Sequence, residues 1–289
     1  MSLQLSQAKI AFVGAGSMAE AIVRGLIQTE VAQPGNIYMM NRSNQDRLAY
    51  LRSEYGLNAS SDLQTKEDYI AGADIIVLCM KPKDVESSFA ELRSQLRENQ
   101  LLVSVIAGLS VAKTEALLDT RMGIVRTMPN TSSTIGLGAT GMSFSSNVNE
   151  TYRGLAIQMF EAVGIVSVVD EDKLEIVTGV SGSGPAYVYY FMEAMTQAGI
   201  DGGLSLEDAK QLTLQTVLGA AHMVQHTNEE PAELRRKVTS PNGATAAAIE
   251  ALDRFQFREG IIQAVNRSAE RSKEMGEQIA AASTAGKSV

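Results

Sequence analysis

A short segment near the start of the chain has the residue types and spacing that bind a pyrophosphate. The apolar run Lys9–Gly14 leads through a second glycine, Gly16, into a helical segment. Gly14 permits a tight turn, Gly16 lets the backbone approach a phosphate, and Ala19 allows a helix to pack closely on the strand. The free N–H groups and the dipole at the start of that helix favour an anion. A glycine turn that binds nothing is the alternative. The predicted dinucleotide contacts are Gly14, Ala15, Gly16, Ser17 and Met18.

The residues after the second apolar run decide which dinucleotide fits. An Asp or Glu there would bind the ribose hydroxyls and repel a 2′-phosphate. The chain instead has Asn41-Arg42-Ser43. Because a guanidinium forks onto phosphate oxygens, Asn41 and Arg42 predict NADPH, with NADH as a weaker alternative. A solvated surface arginine is the other interpretation of Arg42.

Two further strand ends would border the same ligand, because ligands bind outside the carboxyl ends of parallel strands. Lys81 and Pro82 end the third apolar run, and Ser104–Gly108 ends the fourth. The predicted cofactor contacts beyond the glycine turn are Asn41, Arg42, Met80, Lys81, Pro82, Ile106, Ala107 and Glu171.

A segment in the second half is suited to bind a small carboxylate. Pro231–Thr245 joins a short helix to a Pro-Asn-Gly turn that begins another helix. Gly243, Ala244 and Thr245 would occupy the first turn, where N–H groups lack intrahelical acceptors. Thr245 adds a hydroxyl beside that carboxylate. A cyclic imino acid, whose ring nitrogen adjoins the carboxylate-bearing carbon, would therefore fit one helix start.

The elements that position these residues divide the chain in two. Apolar runs without polar alternation alternate with helical segments as far as residue 169, which predicts a sheet with helices on both faces. Residues 1–169 are therefore predicted to form an α/β domain with a Rossmann-type, doubly wound, mainly parallel sheet. The predicted strands are Lys9–Gly14, Asn36–Asn41, Asp74–Met80, Leu101–Ile106, Gly123–Met128, Ala139–Phe144 and Ile165–Val169.

Strand-like runs disappear after about Asp170, and residues 170–289 are predicted to form an all-helical domain. Gly199 is placed to end the first long helix, and Ser205 is placed to cap the second. Disorder is expected over Ser283–Val289. The predicted helices are Pro185–Ala198, Ser205–Thr227, one that begins at Pro231, Ala244–Leu252 and Glu259–Ala282.

This helical half is richer in Ala, Leu and Met than a small domain needs for its own core. Burying the excess against a second subunit predicts a homodimer through residues 170–289, to which a larger homo-oligomer is a possible extension. An ordinary core against the first domain is the alternative.

Charge and composition exclude several classes of protein. The 289-residue chain has a formal net charge of −8 and scattered basic residues, whereas a nucleic-acid binder needs a clustered Lys/Arg surface. No run approaches the apolar length of a membrane-spanning helix. Cys79 is the single cysteine and Met1–Lys9 lacks a secretory pattern, so we expect a cytoplasmic protein with a small-molecule substrate.

Several motifs together resemble the pyrroline-5-carboxylate reductase family. The region Pro231–Asp253 is similar to the signature segment of that family in the spacing of its threonines, Gly243 and Ala248-Ile249. Thr178–Tyr187 is similar to the start of that family's helical domain. Further resembling motifs are Met80-Lys81-Pro82, Ser104–Gly108 and Arg126–Asn130.

The resemblance implies a two-domain subunit that dimerises through interlocked helical domains and reduces L-1-pyrroline-5-carboxylate to L-proline. Carried over, the backbone around Gly243–Thr245 holds the substrate carboxylate, and the Thr245 hydroxyl meets the ring nitrogen. Because a threonine hydroxyl is a very weak acid, Thr245 is expected to orient the ring and relay a hydrogen bond while the cofactor supplies hydride. Thr245 is the predicted catalytic residue. The predicted substrate contacts are Ser183, Ser240, Gly243, Ala244 and Thr245.

Three positions depart from the family pattern. Asn242 replaces a more frequent glycine, and asparagine tolerates left-handed turn geometry. Lys66 and Lys237 stand where asparagine is often found near the cofactor. These lysines would either strengthen a phosphate contact or mark a paralogue with a different cofactor or substrate range.

Two other functions are weighed against this one. A related hydroxy-acid dehydrogenase would need a catalytic lysine in a Lys-x-x-Asn pattern after Asp170, and the sequence has no such pattern there. A catalytically idle paralogue would have a damaged Pro231–Thr245 segment, which here is intact.

Three other signals have simpler interpretations than a second active site. His222 and His226 are one helical turn apart, but two ligands are too few for a metal, so no metal site is predicted. Cys79 is expected to be a small core residue. The aromatic cluster Tyr187–Phe191 is expected to pack at a subunit interface.

Overall fold

The computed structural model describes residues 3–285, with side chains to residue 279. Strands alternate with helices in the first part of the chain, as predicted from the apolar runs. These elements are β1 (Ile10–Val13), α1 (Ser17–Gln28), β2 (Ile37–Met40), α2 (Gln45–Tyr55), β3 (Asn58–Ser60), α3 (Leu63–Gly72), β4 (Ile75–Leu78), α4 (Val85–Leu92), β5 (Leu101–Ser104), α5 (Val111–Leu118), β6 (Gly123–Met128), β7 (Gly138–Phe144), α6 (Glu150–Glu161) and β8 (Gly164–Val168).

The strands form one eight-stranded sheet in the order β3-β2-β1-β4-β5-β6-β7-β8. All neighbouring strands pair in parallel except β6 and β7, which are antiparallel. Side chains alternate between two cores: Ile10 and Phe12 of β1 pack in one, and Ala11 packs in the other. The doubly wound, mainly parallel sheet is confirmed, and its strand order reverses between β1 and β4, where such folds bind ligands.

Two strands differ from the prediction. The three residues of β3, Asn58–Ser60, were not predicted because they include no β-branched or aromatic side chain, the residue types that favour strands. The prediction that every strand is covered on both faces is wrong for β8. Ile165 and Val168 are exposed in this edge strand.

Helices fill the chain after β8. They are α7 (Leu174–Val177), a π-helical turn (Thr178–Gly182), α8 (Gly184–Asp201), α9 (Leu206–Thr227), α10 (Pro231–Lys237), α11 (Ala244–Arg254) and α12 (Phe257–Ala285). No helix within residues 3–285 is long and apolar enough to cross a membrane.

The described residues form two compact units, one up to Ser183 together with the chain from Arg267 onward, and one of Gly184–Asn266. The division at Ser183 lies beyond the predicted boundary at residue 170. The reason is that the turns between these points belong with the sheet. Arg126 of β6 binds Glu171 and Glu175, and Leu174 is buried.

Helix α8 does not end at Gly199, as predicted, but continues to Asp201. A Cβ on Gly199 would lie 3.1 Å from the Cβ of Ala209, so this glycine allows α8 and α9 to pack closely instead of ending a helix. The predicted cap of α9 is confirmed, because the Ser205 hydroxyl accepts the Asp208 N–H. The predicted start of α10 at Pro231 is also confirmed.

The C-terminal helix α12 begins in the second unit, and its residues from Arg267 onward belong to the first. Ile279 joins the core beside the sheet, and the Lys113 ammonium donates to the Gly276 carbonyl at 2.8 Å. Because the helix continues to Ala285, the disorder predicted from Ser283 is wrong for residues 283–285. Residues 286–289 lie outside those described.

Candidate active site

The glycine turn after β1 has the geometry that its sequence predicts. Gly14 has φ +114°, and a Cβ there would lie 2.6 Å from the Cys79 carbonyl oxygen. Gly16 caps α1, and a Cβ on it would meet no atom within 4 Å. The start of α1, with the N–H groups of Ser17 and Met18, therefore follows a glycine that faces open space, and its predicted contact with a pyrophosphate stays a prediction.

A salt bridge that the sequence reasoning missed holds this turn. The Arg47 guanidinium donates to the Ala15 carbonyl at 2.9 Å and to the Glu20 carboxylate at 2.5 Å. Tyr55 and Tyr50 also donate to Glu20. No local signal marks this contact, because Glu20 and Arg47 lie in the first turns of different helices that only the β1–β2 pairing brings together.

Replacing Glu20 tests this support. Burial alone would raise the pKa of Glu20, but hydrogen bonds from Arg47 and the tyrosines hold it below its ordinary value of 4.5. A carboxylate with a lowered pKa stabilises the fold fully above its unfolded-state pKa, and this contribution is lost as the pH falls through the folded-state value. Glu20→Gln should lower the free energy of unfolding at neutral pH by about 1–2 kcal/mol.

Urea unfolding of wild type and Glu20→Gln over a pH series measures this difference. It should be largest at neutral pH and shrink below the ordinary carboxyl pKa. A difference that stays constant over the whole series would contradict the ionised contact.

A cavity of about 270 Å³ opens beside the glycine turn, at the carboxyl ends of β1, β2 and β4. Its floor is apolar, and its mouth carries amide and charged side chains. The lining residues are Val13, Gly14, Met40, Asn41, Arg42, Leu63, Lys66, Ile70, Met80, Asp84, Ser88, Glu91, Leu92 and Gln95. Three predicted cofactor contacts besides Gly14 therefore line one cavity: Asn41, Arg42 and Met80.

Asn41 and Arg42, from which NADPH was predicted, have different hydrogen-bond partners at the mouth of this cavity. Asn41 uses both ends of its amide on Asn44, in the turn that leads into α2. Arg42 donates to the Ser87 hydroxyl at 3.0 Å and lies 3.7 Å from the Asp84 carboxylate. Although β2 ends without an acid, Asp84 supplies one from another element, which the local sequence pattern could not reveal.

Lys81 and Pro82 lead from β4 into a 3₁₀ turn, with Lys81 exposed beside the cavity-lining Met80. Beyond β5, Ile106 is buried and Ala107 half-buried. The next residue, Gly108, has φ +75°. A Cβ on Gly108 would lie 2.4 Å from the Ser272 carbonyl oxygen of α12. The C-terminal helix therefore fixes the loop that follows β5.

Glu171 is held by protein groups. Its carboxylate accepts the Val111 N–H, at the start of α5, at 2.7 Å and Arg126 Nη1 at 3.3 Å. Arg126, with a side chain only 7% exposed, also binds both oxygens of Glu175 at 2.9 Å. The structure thus gives Glu171 a role in tying the turn after β8 to the sheet, and its predicted cofactor contact stays a prediction.

The predicted substrate-binding helix start forms in the second unit. Asn242 adopts φ +59°, the left-handed geometry expected of asparagine there. Gly243 caps α11 in an extended conformation, and its N–H donates to the Ser240 carbonyl. The first intrahelical bond runs from Ala247 to Gly243. The N–H groups of Ala244 and Thr245 therefore lack helical acceptors.

Thr245 itself is exposed, and its hydroxyl makes no hydrogen bond to any residue that the structure describes. Thr239, in the same segment, instead donates its hydroxyl to the Arg235 carbonyl at 2.7 Å. The free hydroxyl and the free N–H groups of the helix start lie side by side in sequence. They can bind a carboxylate and donate one further hydrogen bond.

The remaining predicted substrate contacts are Ser183 and Ser240. Ser183 belongs to the first unit, where its hydroxyl lies 2.8 Å from that of Ser268. It follows a π-helical turn, a feature frequent at functional sites. Ser240 is exposed before the Pro-Asn-Gly turn.

The structure also places the residues for which the sequence predicted no catalytic or metal-binding role. Cys79 packs against the core, and desolvation raises the pKa of its thiol. His222 and His226 pack with ring centroids 6.3 Å apart. Tyr190 is 77% exposed in the single subunit.

The reversal of strand order, the glycine turn and the helical second unit define a dinucleotide-dependent oxidoreductase. The family model for pyrroline-5-carboxylate reductase dimerisation matches residues 171–275, and that for coenzyme F420-dependent NADP oxidoreductase matches residues 9–108. Pyrroline-5-carboxylate reductase 1 of Bacillus spizizenii is 41% identical over 273 residues, covering 94% of this chain and 91% of that protein. The chain belongs to the pyrroline-5-carboxylate reductase family.

Solved structures agree over nearly the whole chain. A pyrroline-5-carboxylate reductase from Coxiella burnetii has a TM-score of 0.85 at 38% identity, covering 93% of this chain and 98% of that one. The Plasmodium falciparum pyrroline carboxylate reductase, solved with NADP bound, has a TM-score of 0.84 at 31% identity, covering 94% and 99%.

Proposed function

We propose that this chain reduces L-1-pyrroline-5-carboxylate to L-proline with NADPH, the last step of proline biosynthesis. The observation that carries the proposal is the start of α11. There, free backbone N–H groups lie beside the Thr245 hydroxyl, which has no hydrogen-bond partner among residues 3–279. Relatives of this chain bear this enzyme's name.

The roles of the residues follow from the groups that they present. The N–H groups of Ala244 and Thr245, with the helix dipole behind them, bind the substrate carboxylate. The Thr245 hydroxyl oxygen then accepts a hydrogen bond from the N–H of the protonated ring nitrogen and fixes the orientation of the imine. A protonated imine is already electrophilic, so orientation is the main contribution required of the protein.

The first unit holds the dinucleotide. Gly14, Gly16 and the start of α1 receive the pyrophosphate, and the cavity beside Arg42 receives the adenosine end. When bound, NADPH supplies the hydride that reduces the imine carbon. The loop Ile106–Gly108 follows β5 and the segment Lys81–Pro82 follows β4, so both border the same edge of the sheet.

The direct test is an assay that mixes the purified protein with pyrroline-5-carboxylate and each reduced nicotinamide cofactor in turn. Nicotinamide absorbance should fall only when substrate is present, and proline should accumulate in equal amount. Faster turnover with NADPH than with NADH is expected. Absence of turnover with both cofactors would disprove the proposed function.

We also propose a homodimer formed through the helical unit. Large apolar side chains are exposed there in the single subunit: Tyr190 is 77% and Phe255 86% exposed, and such patches mark interfaces. Light scattering should give at least twice the 30.9 kDa chain mass. A mass of one chain would contradict the dimer.

A cytoplasmic location stays a prediction.

A further inference from the structure

One cation at the mouth of the cavity beside the glycine turn is not committed to another protein group. Lys66 is half-buried on α3 and lines this cavity together with Asn41 and Arg42. Among residues 3–279, no side-chain hydrogen bond or ion pair involves its ammonium. Asp62, one turn earlier, accepts the N–H and the hydroxyl of Thr65 with its carboxylate, so the attraction of Lys66 to this carboxylate acts through space and without a hydrogen bond.

The helix geometry aims Lys66 at this cavity. Leu63, Lys66 and Ile70 all line it, and their spacing of three and four residues places them on one face of α3. Ile70 is buried at the inner end of this face, and Leu63 is exposed at its outer end. The apolar stem of Lys66 therefore lies between them, and its ammonium reaches the mouth.

Arg42, the other cation at the mouth, is partly neutralised. Its guanidinium lies 3.7 Å from Asp84 and donates to Ser87, and its side chain is 69% exposed. Glu91 also lines the cavity, from α4. The charges of the cavity thus balance, so an anion must be recognised by a positioned contact and not by net charge.

We propose that Lys66 is the principal ligand of the 2′-phosphate of NADPH and determines the preference for NADPH over NADH. This inference rests on the proposed function only for the identity of the dinucleotide. Because the Lys66 ammonium has no hydrogen-bond or ion-pair partner among residues 3–279, it can donate to phosphate without first breaking such a contact. Arg42 supports the contact from the end of β2.

A pair of fragments that differ only in the 2′-phosphate isolates the contact: 2′,5′-ADP and 5′-AMP. Calorimetry should show Lys66→Gln binding 2′,5′-ADP about ten- to a hundredfold more weakly than wild type, the range for losing a hydrogen bond to a charged group. Binding of 5′-AMP should not change. Lys66→Arg should keep most of the affinity because it keeps the charge.

Lys83→Gln is the matched control, because Lys83 is exposed in the neighbouring 3₁₀ turn, does not line the cavity and makes the same change in net charge. It should bind both fragments as wild type does. Unchanged binding of 2′,5′-ADP by Lys66→Gln would overturn the proposal. So would an equal loss for both fragments, or an equal loss in the Lys83 variant.

The same variants separate this inference from the proposed function. For the active enzyme, Lys66→Gln should reduce the ratio of kcat/KM with NADPH to that with NADH about tenfold or more, with little change for NADH. If the protein fails to reduce pyrroline-5-carboxylate but loses 2′,5′-ADP binding selectively in Lys66→Gln, the proposed function falls and the role of Lys66 stands.

Discussion

Thr245→Ala should lower kcat for pyrroline-5-carboxylate reduction by ~10- to 10⁴-fold, because the ring loses the hydroxyl proposed to orient it for hydride transfer. The exposed hydroxyl is not used in holding the fold, because it has no partner among residues 3–279. Its removal should therefore leave the melting temperature unchanged. The loss should be larger in kcat than in KM, because the backbone N–H groups proposed to bind the carboxylate remain.

Two further variants make this result specific. Thr245→Ser keeps the hydroxyl and should recover most of the rate. Thr227→Ala removes a hydroxyl that donates to the Met223 carbonyl at the end of α9 and should not alter turnover. Wild-type rates of NADPH oxidation by Thr245→Ala would remove Thr245 from the mechanism, and the proposed roles at the start of α11 would then rest on the backbone alone.

The strands that could be predicted from the sequence are those whose burial on both faces requires a run of apolar residues. Strands such as β4 and β5, Ile75–Leu78 and Leu101–Ser104, are buried at every residue, so each is a continuous apolar run. The strand β3 forms because β2 offers it an edge, and Asn58–Ser60 contains no residues that prefer a strand. The prediction that Gly199 ends α8 was wrong for a related reason. This glycine allows a close contact with Ala209 of α9, and no local sequence pattern shows that contact.

The candidate site likewise contains parts that the sequence predicts and parts that it does not. The glycine turn and the start of α11 are each encoded in a short contiguous segment, so both could be located from the sequence. The support from Arg47, the acid Asp84 beside Arg42 and the engagement of Glu171 by Arg126 each join elements distant in the chain. Such contacts become visible only once the order of strands is known.

The second large effect is expected where α12 crosses the loop after β5. A Cβ on Gly276 would lie 1.9 Å from the Gly108 carbonyl oxygen. The obstructing atoms are backbone and cannot rotate away, so Gly276→Ala must move the helix off the loop. Overpacking of this kind should lower the free energy of unfolding by about 1–3 kcal/mol or more. Binding of NADPH should weaken too, because the displaced loop contains Ile106 and Ala107, which are predicted cofactor contacts.

Gly260→Ala separates this effect from helix propensity, because it adds the same methyl group to the same helix. Among the described residues, a Cβ on Gly260 would meet no atom within 4 Å beyond the adjacent backbone of its own helix, and alanine favours helix over glycine by about 1 kcal/mol. This variant should therefore be neutral or more stable. Thermal unfolding at one protein concentration compares the two, since an oligomer's midpoint depends on concentration. Equal stability of both variants would contradict the crossing. If Gly276→Ala is destabilised but binds NADPH with wild-type affinity, the loop after β5 keeps its geometry without α12. In that case the helix stabilises the fold and has no effect on the predicted cofactor site.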